Sequence, residues 1–236
     1  MGAGQIPSDV KQGAAALGAD LDGPLGAGLA LFLARLLEAN RAFNLTAITD
    51  LDAAWQRHVL DSLSLLPSLA ADPALQRIVD VGSGGGLPGL PLALALPERS
   101  FTLLEATGKK AAFLAEVSQE LGLRNVTVVP ERAESFGQGA GRAHFDAATA
   151  RALSRMPVLL ELTLPLLRVG GMCFALKGEQ AQAEIEEARR ALSLLGGEVR
   201  ETRRTPTGTI VIIDKPRPTP PRYPRRPGEP KRSPLV

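Results

Sequence analysis

The chain has 236 residues, enough for one large domain or for one domain with a smaller attachment. Apolar residues make up 44% and charged residues 22%, which is ordinary globular usage and excludes a disordered chain, a collagen-like fibre and a disulfide-stapled miniprotein. The formal net charge of +2 is unevenly distributed, because residues 215–236 carry seven Lys or Arg and one acid, whereas residues 1–214 carry 20 basic and 24 acidic residues. A mildly acidic body with a strongly basic tail favours a nucleic-acid or anionic-surface partner.

The cysteine content and the N-terminus indicate the compartment. Cys173 is the one cysteine, which precludes an internal disulfide and is typical of a reducing compartment. No basic segment followed by an apolar one opens the chain, and the longest apolar stretch, residues 87–97, is too short for a membrane span. The two histidines and the cysteine lie far apart, so no metal site is predicted. We expect a cytoplasmic protein that binds neither membrane nor metal and acts as a monomer.

Residues 1–75 are predicted to form a small N-terminal helical extension. A first helix carries an apolar stripe at helical spacing, formed by Leu25, Leu29, Phe32, Leu33, Leu36 and Leu37. A second helix is predicted to begin at Thr49 or Asp50 and to end before Pro67. Residues 44–48 form a short connector between the two helices.

From residue 76 to residue 214 short apolar runs alternate with amphipathic stretches. Strands are predicted at residues 78–81, 100–104, 126–129, 145–148, 171–176, 198–203 and 209–213. Helices are predicted at residues 90–96, 109–121, 156–167 and 181–195. This alternation is typical of an α/β fold with a seven-stranded, mostly parallel sheet covered on both faces. The last two strands are joined by a hairpin-type turn, so one of them should run antiparallel. Residues 215–236 form a basic, proline-rich tail.

A glycine-rich turn follows the first predicted strand: Asp80 is followed after Val81 by the run GSGGGLPG at residues 82–89. Glycines let the backbone turn sharply and approach a ligand closely. A G-x-G-x-x-G pattern fits from Gly84, but the better-placed register beginning at Gly82 lacks its third glycine because Leu87 stands there. An acid just before such a turn favours S-adenosylmethionine, which has an amino-acid moiety and no pyrophosphate. An NAD site and a turn without a ligand are the alternatives.

Further candidate side chains follow the next strands. Glu105 comes nineteen residues after Gly86, where a carboxylate can accept hydrogen bonds from both ribose hydroxyls. The segment Arg132-Ala133-Glu134 follows the third strand and is positioned to meet an adenine edge, and Arg151 follows the fourth. Because the carboxyl ends of parallel strands meet at one edge, these residues are predicted to share a cleft. Exposed, functionless side chains are the alternative for each.

The sequence at this point resembles a known family, the glucose-inhibited division protein B family. The resemblance runs from about residue 25 to the C-terminus and rests on an ordered set of motifs: residues 44–48, 58–63, 80–89, 151–152, 177–178 and 223–228. Members of that family are bacterial methyltransferases that modify N7 of a guanine in the 530 loop of 16S ribosomal RNA. The resemblance implies a Rossmann-like, S-adenosylmethionine-dependent methyltransferase fold and a substrate in 16S ribosomal RNA or the small ribosomal subunit.

The resemblance also implies particular cofactor contacts. With the residues of the glycine turn, the expected cofactor-binding set is Asp80, Gly82, Gly84, Leu87, Glu105, Ala106, Thr107, Ala133, Glu134 and Arg151. The family often has other residues at the positions of Ala106 and Thr107. Residues 1–24 have no clear counterpart in the family.

Transfer of a methyl group to guanine N7 requires no general base, because N7 carries a free lone pair at neutral pH. Alignment of nucleophile and methyl group is therefore the main expected source of catalysis. No single catalytic residue is predicted, and Arg151 and Lys177, with Arg155, are candidates for positioning the base or a phosphate. His58 and Asp61 lie three residues apart on one helix face, where they form either a buried ion-pair network or a surface that closes over the base.

The tail is predicted to contact RNA phosphates. Its prolines should keep it extended and free of helix, and the expected RNA-binding residues are Arg222, Tyr223, Arg225, Arg226, Lys231 and Arg232. Solvated disorder is the alternative for this segment. For the whole chain, two other functions stay open: a non-catalytic RNA-binding assembly factor with the same fold, and an NAD-dependent oxidoreductase.

Overall fold

The structure is a computed structural model that describes residues 6–236. Within this range seven strands form one sheet in the order β3-β2-β1-β4-β5-β7-β6. The strands are β1 (Arg77–Val81), β2 (Ser100–Leu104), β3 (Val126–Val129), β4 (Phe145–Arg151), β5 (Leu167–Lys177), β6 (Glu198–Thr205) and β7 (Gly208–Asp214). Neighbours from β3 to β5 are parallel, whereas β7 runs antiparallel to both β5 and β6. The predicted mostly parallel sheet with one reversed strand is confirmed.

Helices cover both faces of this sheet. In chain order they are α1 (Ser8–Ala16), α2 (Pro24–Asn40), α3 (Leu51–Ala54), α4 (Asp61–Leu63), α5 (Leu66–Ala71), α6 (Gly89–Ala95), α7 (Gly108–Glu120), α8 (Ala133–Gln138), α9 (Met156–Thr163), α10 (Ala181–Glu187), α11 (Arg189–Leu195) and α12 (Glu229–Arg232). Alternate residues of β1 enter opposite cores: Ile78 packs with Phe32 of α2 on one face, and Val79 packs with Leu159 of α9 on the other. None of the helices in this described range is long and apolar enough to cross a membrane.

The predicted helix from Asp50 to Leu66 is wrong in its interior and at its end. Asp50 does cap α3, where its carboxylate accepts the Ala53 N–H at 2.8 Å. The chain then changes to a π-helical turn over Trp55–Leu60, which buries Trp55 and His58 together. Pro67 lies in the first turn of α5 instead of ending a helix, since proline is tolerated where an N–H needs no partner.

The C-terminal tail is folded onto the body, so the prediction of an extended segment free of helix is wrong. Arg142 donates hydrogen bonds to the carbonyls of Thr219 and Tyr223 at 2.8 and 2.6 Å. These bonds satisfy backbone acceptors that the proline-rich segment cannot pair with itself. The segment then forms α12, with Pro230 in its first turn. The tail thereby packs as part of the domain that it follows.

Candidate active site

A cavity of about 680 Å³ opens at the carboxyl ends of β1 to β4. Its walls come from the ends of these strands, from the connector before α3 and from the C-terminal segment. The predicted site residues among its lining are Gly82, Gly84, Leu87, Glu105, Ala106, Ala133, Glu134, Arg151 and Lys231. This volume is in the range of small-molecule sites, and the position is the one at which open α/β sheets bind ligands.

The turn after β1 requires glycine for steric reasons. Gly82 and Gly84 have φ of +72° and +54°, in the left-handed region that side chains disfavour. A Cβ on Gly82 would lie 2.5 Å from a methyl carbon of Leu153, and one on Gly89 would lie 2.8 Å from a carboxylate oxygen of Asp80. Side chains at Gly82 and Gly89 would collide with these neighbours, so the turn can pack this closely only with glycine at both positions.

Asp80 lies beneath the glycine turn and is fully buried. Its carboxylate accepts hydrogen bonds from the Thr149 hydroxyl at 2.9 Å and from the Gly89 N–H at 3.2 Å. Burial raises the pKa of Asp80 to about 6, and the bonds from Thr149, Ser83 and Gly89 oppose that rise. The structure thus places Asp80 outside the cavity lining, where it holds the turn from below.

Glu105 lies at the end of β2 and has only 8% of its surface exposed. One carboxylate oxygen accepts the Gly84 N–H at 3.0 Å, and the other accepts the Thr107 N–H at 2.7 Å. These bonds fix the carboxylate at the cavity wall next to Ala106. Thr107 itself is outside the lining and stands at the N-cap position of α7.

Glu134 lies in the first turn of α8 and is 7% exposed. Its carboxylate accepts the N–H of Gly228 at 2.8 Å, which joins the C-terminal segment to the end of β3. Gly228 and Lys231 of that segment line the cavity. No local sequence pattern predicts this contact, because the two residues lie 94 positions apart.

Arg151 ends β4 and is held by two groups from the helical extension. Its Nη1 lies 3.3 Å from the Asp61 carboxylate, and its Nη2 lies 3.0 Å from Nδ1 of His58. Burial and the Arg151 charge together lower the pKa of His58 to about 4, so the imidazole is neutral at pH 7. The second ring nitrogen, Nε2, lies 2.7 Å from the Thr46 hydroxyl. Of the two interpretations of His58 and Asp61, the structure shows the buried network.

The other positioning candidates, Lys177 and Arg155, do not themselves line the cavity. The Lys177 ammonium donates to the Ser154 carbonyl at 2.7 Å and pairs with Glu184 of α10 at 2.6 Å. Lys177 thereby joins β5 to α10 and to the loop that follows β4. Arg155 pairs with Glu187 at the surface. Neither side chain is directed at the cavity in this arrangement.

The tail residues divide into two groups. Tyr223 is 6% exposed, and Arg225 binds the fully buried carboxylate of Glu161, so both side chains serve packing and are unavailable for stacking or phosphate contact. The remaining predicted RNA-binding side chains are exposed: Arg222, Arg226, Lys231 and Arg232. Lys231 is exposed and is also part of the cavity lining.

These residues fit S-adenosylmethionine. The sheet order brings Ala133 and Glu134, then Glu105, then the glycine turn into one line along the strand ends, an order that matches the adenine, ribose and amino-acid moieties of this cofactor. Two structural features support this fit. One is the tight glycine turn, and the other is the Glu105 carboxylate, which the turn holds in place. Within residues 6–236 there is no group of three side chains that could hold a metal ion.

Comparison with known proteins agrees with the site. A family model described as rRNA small subunit methyltransferase G matches residues 27–209. A relative from Sorangium cellulosum named Ribosomal RNA small subunit methyltransferase G is 47% identical over 220 residues, which is 93% of this chain and 92% of the relative. A protein of the same name from Moorella thermoacetica is 43% identical over 207 residues, covering 85% of this chain and 86% of the relative.

Solved structures of low sequence identity share the fold. Cofactor-bound Rv0187 from MTB has a TM-score of 0.58 at 22% identity, covering 78% of this chain and 89% of that one. The branched-chain polyamine synthase from Thermus thermophilus, in complex with N4-aminopropylspermidine and 5'-methylthioadenosine, has a TM-score of 0.54 at 15% identity, covering 68% and 57%.

Fold and site together define a Rossmann-like, S-adenosylmethionine-dependent methyltransferase. The match over most of the chain and the identities of 47% and 43% identify the family. The chain belongs to the rRNA small subunit methyltransferase G family, also called GidB. This confirms the resemblance in the motifs and makes the NAD-dependent oxidoreductase alternative wrong.

The sequence did not indicate two parts of the site. The connector that spans Leu45 to Ile48 lines the cavity beside the glycine turn, and Gly85 packs directly against Leu45. Leu153 and Ser154, in the loop after β4, also line it. The connector was visible as a family motif, yet only the fold brings it to the ends of strands that begin thirty residues later.

Proposed function

We propose that this protein transfers the methyl group of S-adenosylmethionine to N7 of a guanine in the 530 loop of 16S ribosomal RNA. One observation carries the proposal: the cavity is lined both by the Glu105 carboxylate, which follows β2 and is bonded to the glycine turn, and by the Arg151 side chain at the end of β4. The first fits the ribose of the cofactor. The second lies on the other side of β1 and its glycine turn, where the target base would enter.

The reaction needs orientation more than acid–base chemistry. S-adenosylmethionine, when bound, supplies an electrophilic methyl carbon. The N7 lone pair forms the new N–C bond as the C–S bond breaks, so no proton moves and no catalytic base is required. Alignment of the reacting atoms contributes on the order of 7–11 kcal/mol to such reactions. In this protein the Asp80-supported glycine turn and the Arg151 network hold the two sides of the cavity in place.

RNA binding is assigned to the exposed cations of the tail. Arg222, Arg226, Lys231 and Arg232 give the C-terminal segment a cationic outer side. Phosphate neutralisation by such residues supplies affinity without reading sequence. Because Lys231 also lines the cavity, RNA held by the tail lies at the cavity mouth. We further propose that the protein acts as a monomer in the cytoplasm, where ribosomal subunits are assembled.

The test uses S-adenosylmethionine labelled with tritium in the methyl group. Small ribosomal subunits, an assembly intermediate and naked 16S ribosomal RNA, all unmodified in the 530 loop, are incubated side by side with the protein. Label at guanine N7 in one of them supports the proposal. Binding of the RNA with no transfer of label to any substrate would instead support a non-catalytic assembly factor.

A further inference from the structure

The hydroxyl of Thr46, which lines the cavity, makes two hydrogen-bond contacts inside the protein. Its oxygen accepts the Ile48 N–H at 3.0 Å and lies 2.7 Å from Nε2 of His58. The connector around it is itself fixed, because the Asn40 side chain accepts the N–H groups of Leu45 and Thr46 at 2.8 and 2.9 Å. The hydroxyl thus has a defined position and cannot swing away with its backbone.

The protonation of His58 determines which way the hydroxyl donates. Nδ1 lies 3.0 Å from a nitrogen of Arg151 and 3.2 Å from the Arg57 carbonyl. A guanidinium can only donate, so a proton on Nδ1 would face a charged donor at the shorter distance. Nδ1 therefore accepts from Arg151, and since the ring is neutral its proton is on Nε2 and is donated to Thr46.

Both acceptor positions of the Thr46 oxygen are then occupied. One receives the Nε2 proton of His58, and the other receives the Ile48 N–H. A hydroxyl has two acceptor lone pairs and one donor proton. Among residues 6–236, the hydroxyl has no hydrogen-bond contacts besides Nε2 of His58 and the Ile48 N–H, and both of these donate to it. The proton of the hydroxyl is therefore free. In this network Thr46 can donate to a ligand but cannot accept from one.

We propose that the Thr46 hydroxyl is the group that orients the target base and selects guanine, by donating a hydrogen bond to O6; this rests on the proposed function. On the edge that carries N7, guanine presents O6 as an acceptor, whereas adenine presents an amino donor. A fixed donor beside the reacting nitrogen favours the first and rejects the second. His58 and Arg151 act as positioning residues that keep Thr46 in its donating state.

The location of Thr46 supports this role. The cofactor contacts run from β3 through β2 to the turn after β1, so the next strand in the sheet, β4, borders the reacting end. Arg151, at the end of β4, joins that side of the cavity to His58 and through it to Thr46. The connector lines the cavity beside the glycine turn, against which Leu45 packs. A base that reaches the methyl group therefore passes Thr46.

The test compares two protein changes with one change in the substrate. Thr46→Val keeps the shape and removes the hydroxyl, and Thr46→Ser restores it. The RNA carries either guanine or 2-aminopurine at the target position, because 2-aminopurine keeps N7 and lacks O6. Thr127→Val is the matched control, since it removes the same hydroxyl at an exposed position of β3 outside the cavity lining. Single-turnover rates are measured with saturating cofactor, and cofactor affinity is measured separately by calorimetry.

The proposal expects Thr46→Val to lower the methylation rate of the guanine substrate by about tenfold or more, which corresponds to one lost hydrogen bond in a closed site. Thr46→Ser should recover most of that rate. On the 2-aminopurine substrate the wild type and Thr46→Val should be equally slow, and Thr127→Val should keep the wild-type preference for O6. The cofactor affinity of Thr46→Val should be unchanged.

Two results would overturn the inference. An equal rate loss for Thr46→Val on both substrates would show that the hydroxyl does not contact O6. An unchanged rate on guanine would show that it has no role in catalysis. If the wild type methylates neither substrate at N7, the proposed function fails instead, so the two failures are distinguishable.

Discussion

The carboxylate of Glu161, which has no exposed surface, is bound by Arg225 from the C-terminal segment. The guanidinium approaches to 2.6 and 2.9 Å, and the Arg225 N–H adds a third bond at 2.9 Å. This carboxylate holds the pKa of Arg225 above its usual value. The pair anchors the tail on α9, close to the point at which Gly228 reaches Glu134. Tail packing and the Glu134 side of the cavity are thus physically linked.

Loss of this pair should destabilise the fold. Arg225→Ala leaves a buried carboxylate without its partner and should lower the free energy of unfolding by about 3–5 kcal/mol. The double variant Glu161→Leu/Arg225→Leu should be closer to the wild type, because no unpaired charge remains buried. Urea unfolding measures both, with the exposed Arg226→Ala as control. If Arg225→Ala kept the wild-type free energy of unfolding, the packing of the tail would not depend on Glu161.

Glu105 should contribute directly to cofactor affinity. Glu105→Ala removes the acceptor for two ribose hydroxyls and for the Gly84 N–H, and should weaken S-adenosylmethionine binding by about 1–3 kcal/mol. Calorimetry with cofactor and with S-adenosylhomocysteine provides the measurement. Glu179→Ala, at an exposed site outside the cavity, is the matched control and should bind normally. Wild-type affinity in Glu105→Ala would contradict the assigned ribose contact.

The exposed tail cations should set the salt dependence of RNA binding. Each neutralised phosphate contact should reduce the slope of log K against log salt by about 0.7–0.9. Arg226→Gln and Lys231→Gln should each show this reduction in a filter-binding titration. Arg124→Gln removes an exposed charge just before β3, at the amino ends of the parallel strands and outside the cavity lining, and should leave the slope unchanged. Equal effects from all three variants would mean that only the net charge matters.

Two buried groups should give opposite pH dependences of stability. Burial lowers the pKa of His58 in the folded protein to about 4, below its ordinary value of 6.5. The unfolded chain therefore binds the proton first, and stability is lost as the pH falls between these values, by roughly 1.4 kcal/mol per pH unit. Asp80, with its pKa raised from 3.8 to about 6, gains stability over nearly the same window. The two effects offset each other in the wild type.

Substitution separates the two effects. His58→Gln should lose less stability than the wild type between about pH 6.5 and 4.5, because the acid-sensitive group is gone. Asp80→Asn should lose more over the same interval, because the opposing gain is removed. Chemical denaturation at a series of pH values tests both. Parallel stability curves for the wild type and His58→Gln would mean that the imidazole does not titrate as its burial requires.

The sequence predicted the strands of the sheet far better than it predicted the helices. Predicted strands at residues 100–104 and 126–129 coincide with β2 and β3, because short apolar runs between turn signals have few other interpretations. The π-helical turn over Trp55–Leu60 was not predicted, since its apolar pattern also fits an ordinary α-helix. The predicted single helix over residues 181–195 is two helices in the structure, α10 and α11, which meet at Ala188. Here too the apolar pattern fits one continuous α-helix.

The sequence predicted those parts of the cavity lining that belong to a recognisable local pattern. The glycine turn and Glu105 depend on neighbouring residues, and both line the cavity. The roles of Tyr223 and Arg225 depend instead on Arg142 and Glu161, which lie more than sixty residues away. Composition made these tail residues resemble an RNA-binding segment in isolation. Only the fold shows that part of the basic tail is used for packing, with the remaining cations left at the surface.

The central claim is the position of the transferred methyl group. Small-subunit RNA that has been incubated with the protein and S-adenosylmethionine is treated to cleave at N7-methylguanine, and the break is mapped by primer extension. The account predicts one new cleavage, at a guanine of the 530 loop, that is absent without cofactor and reduced by Glu105→Ala. Methylation at another atom or outside that loop, or RNA binding without any methyl transfer, would contradict it.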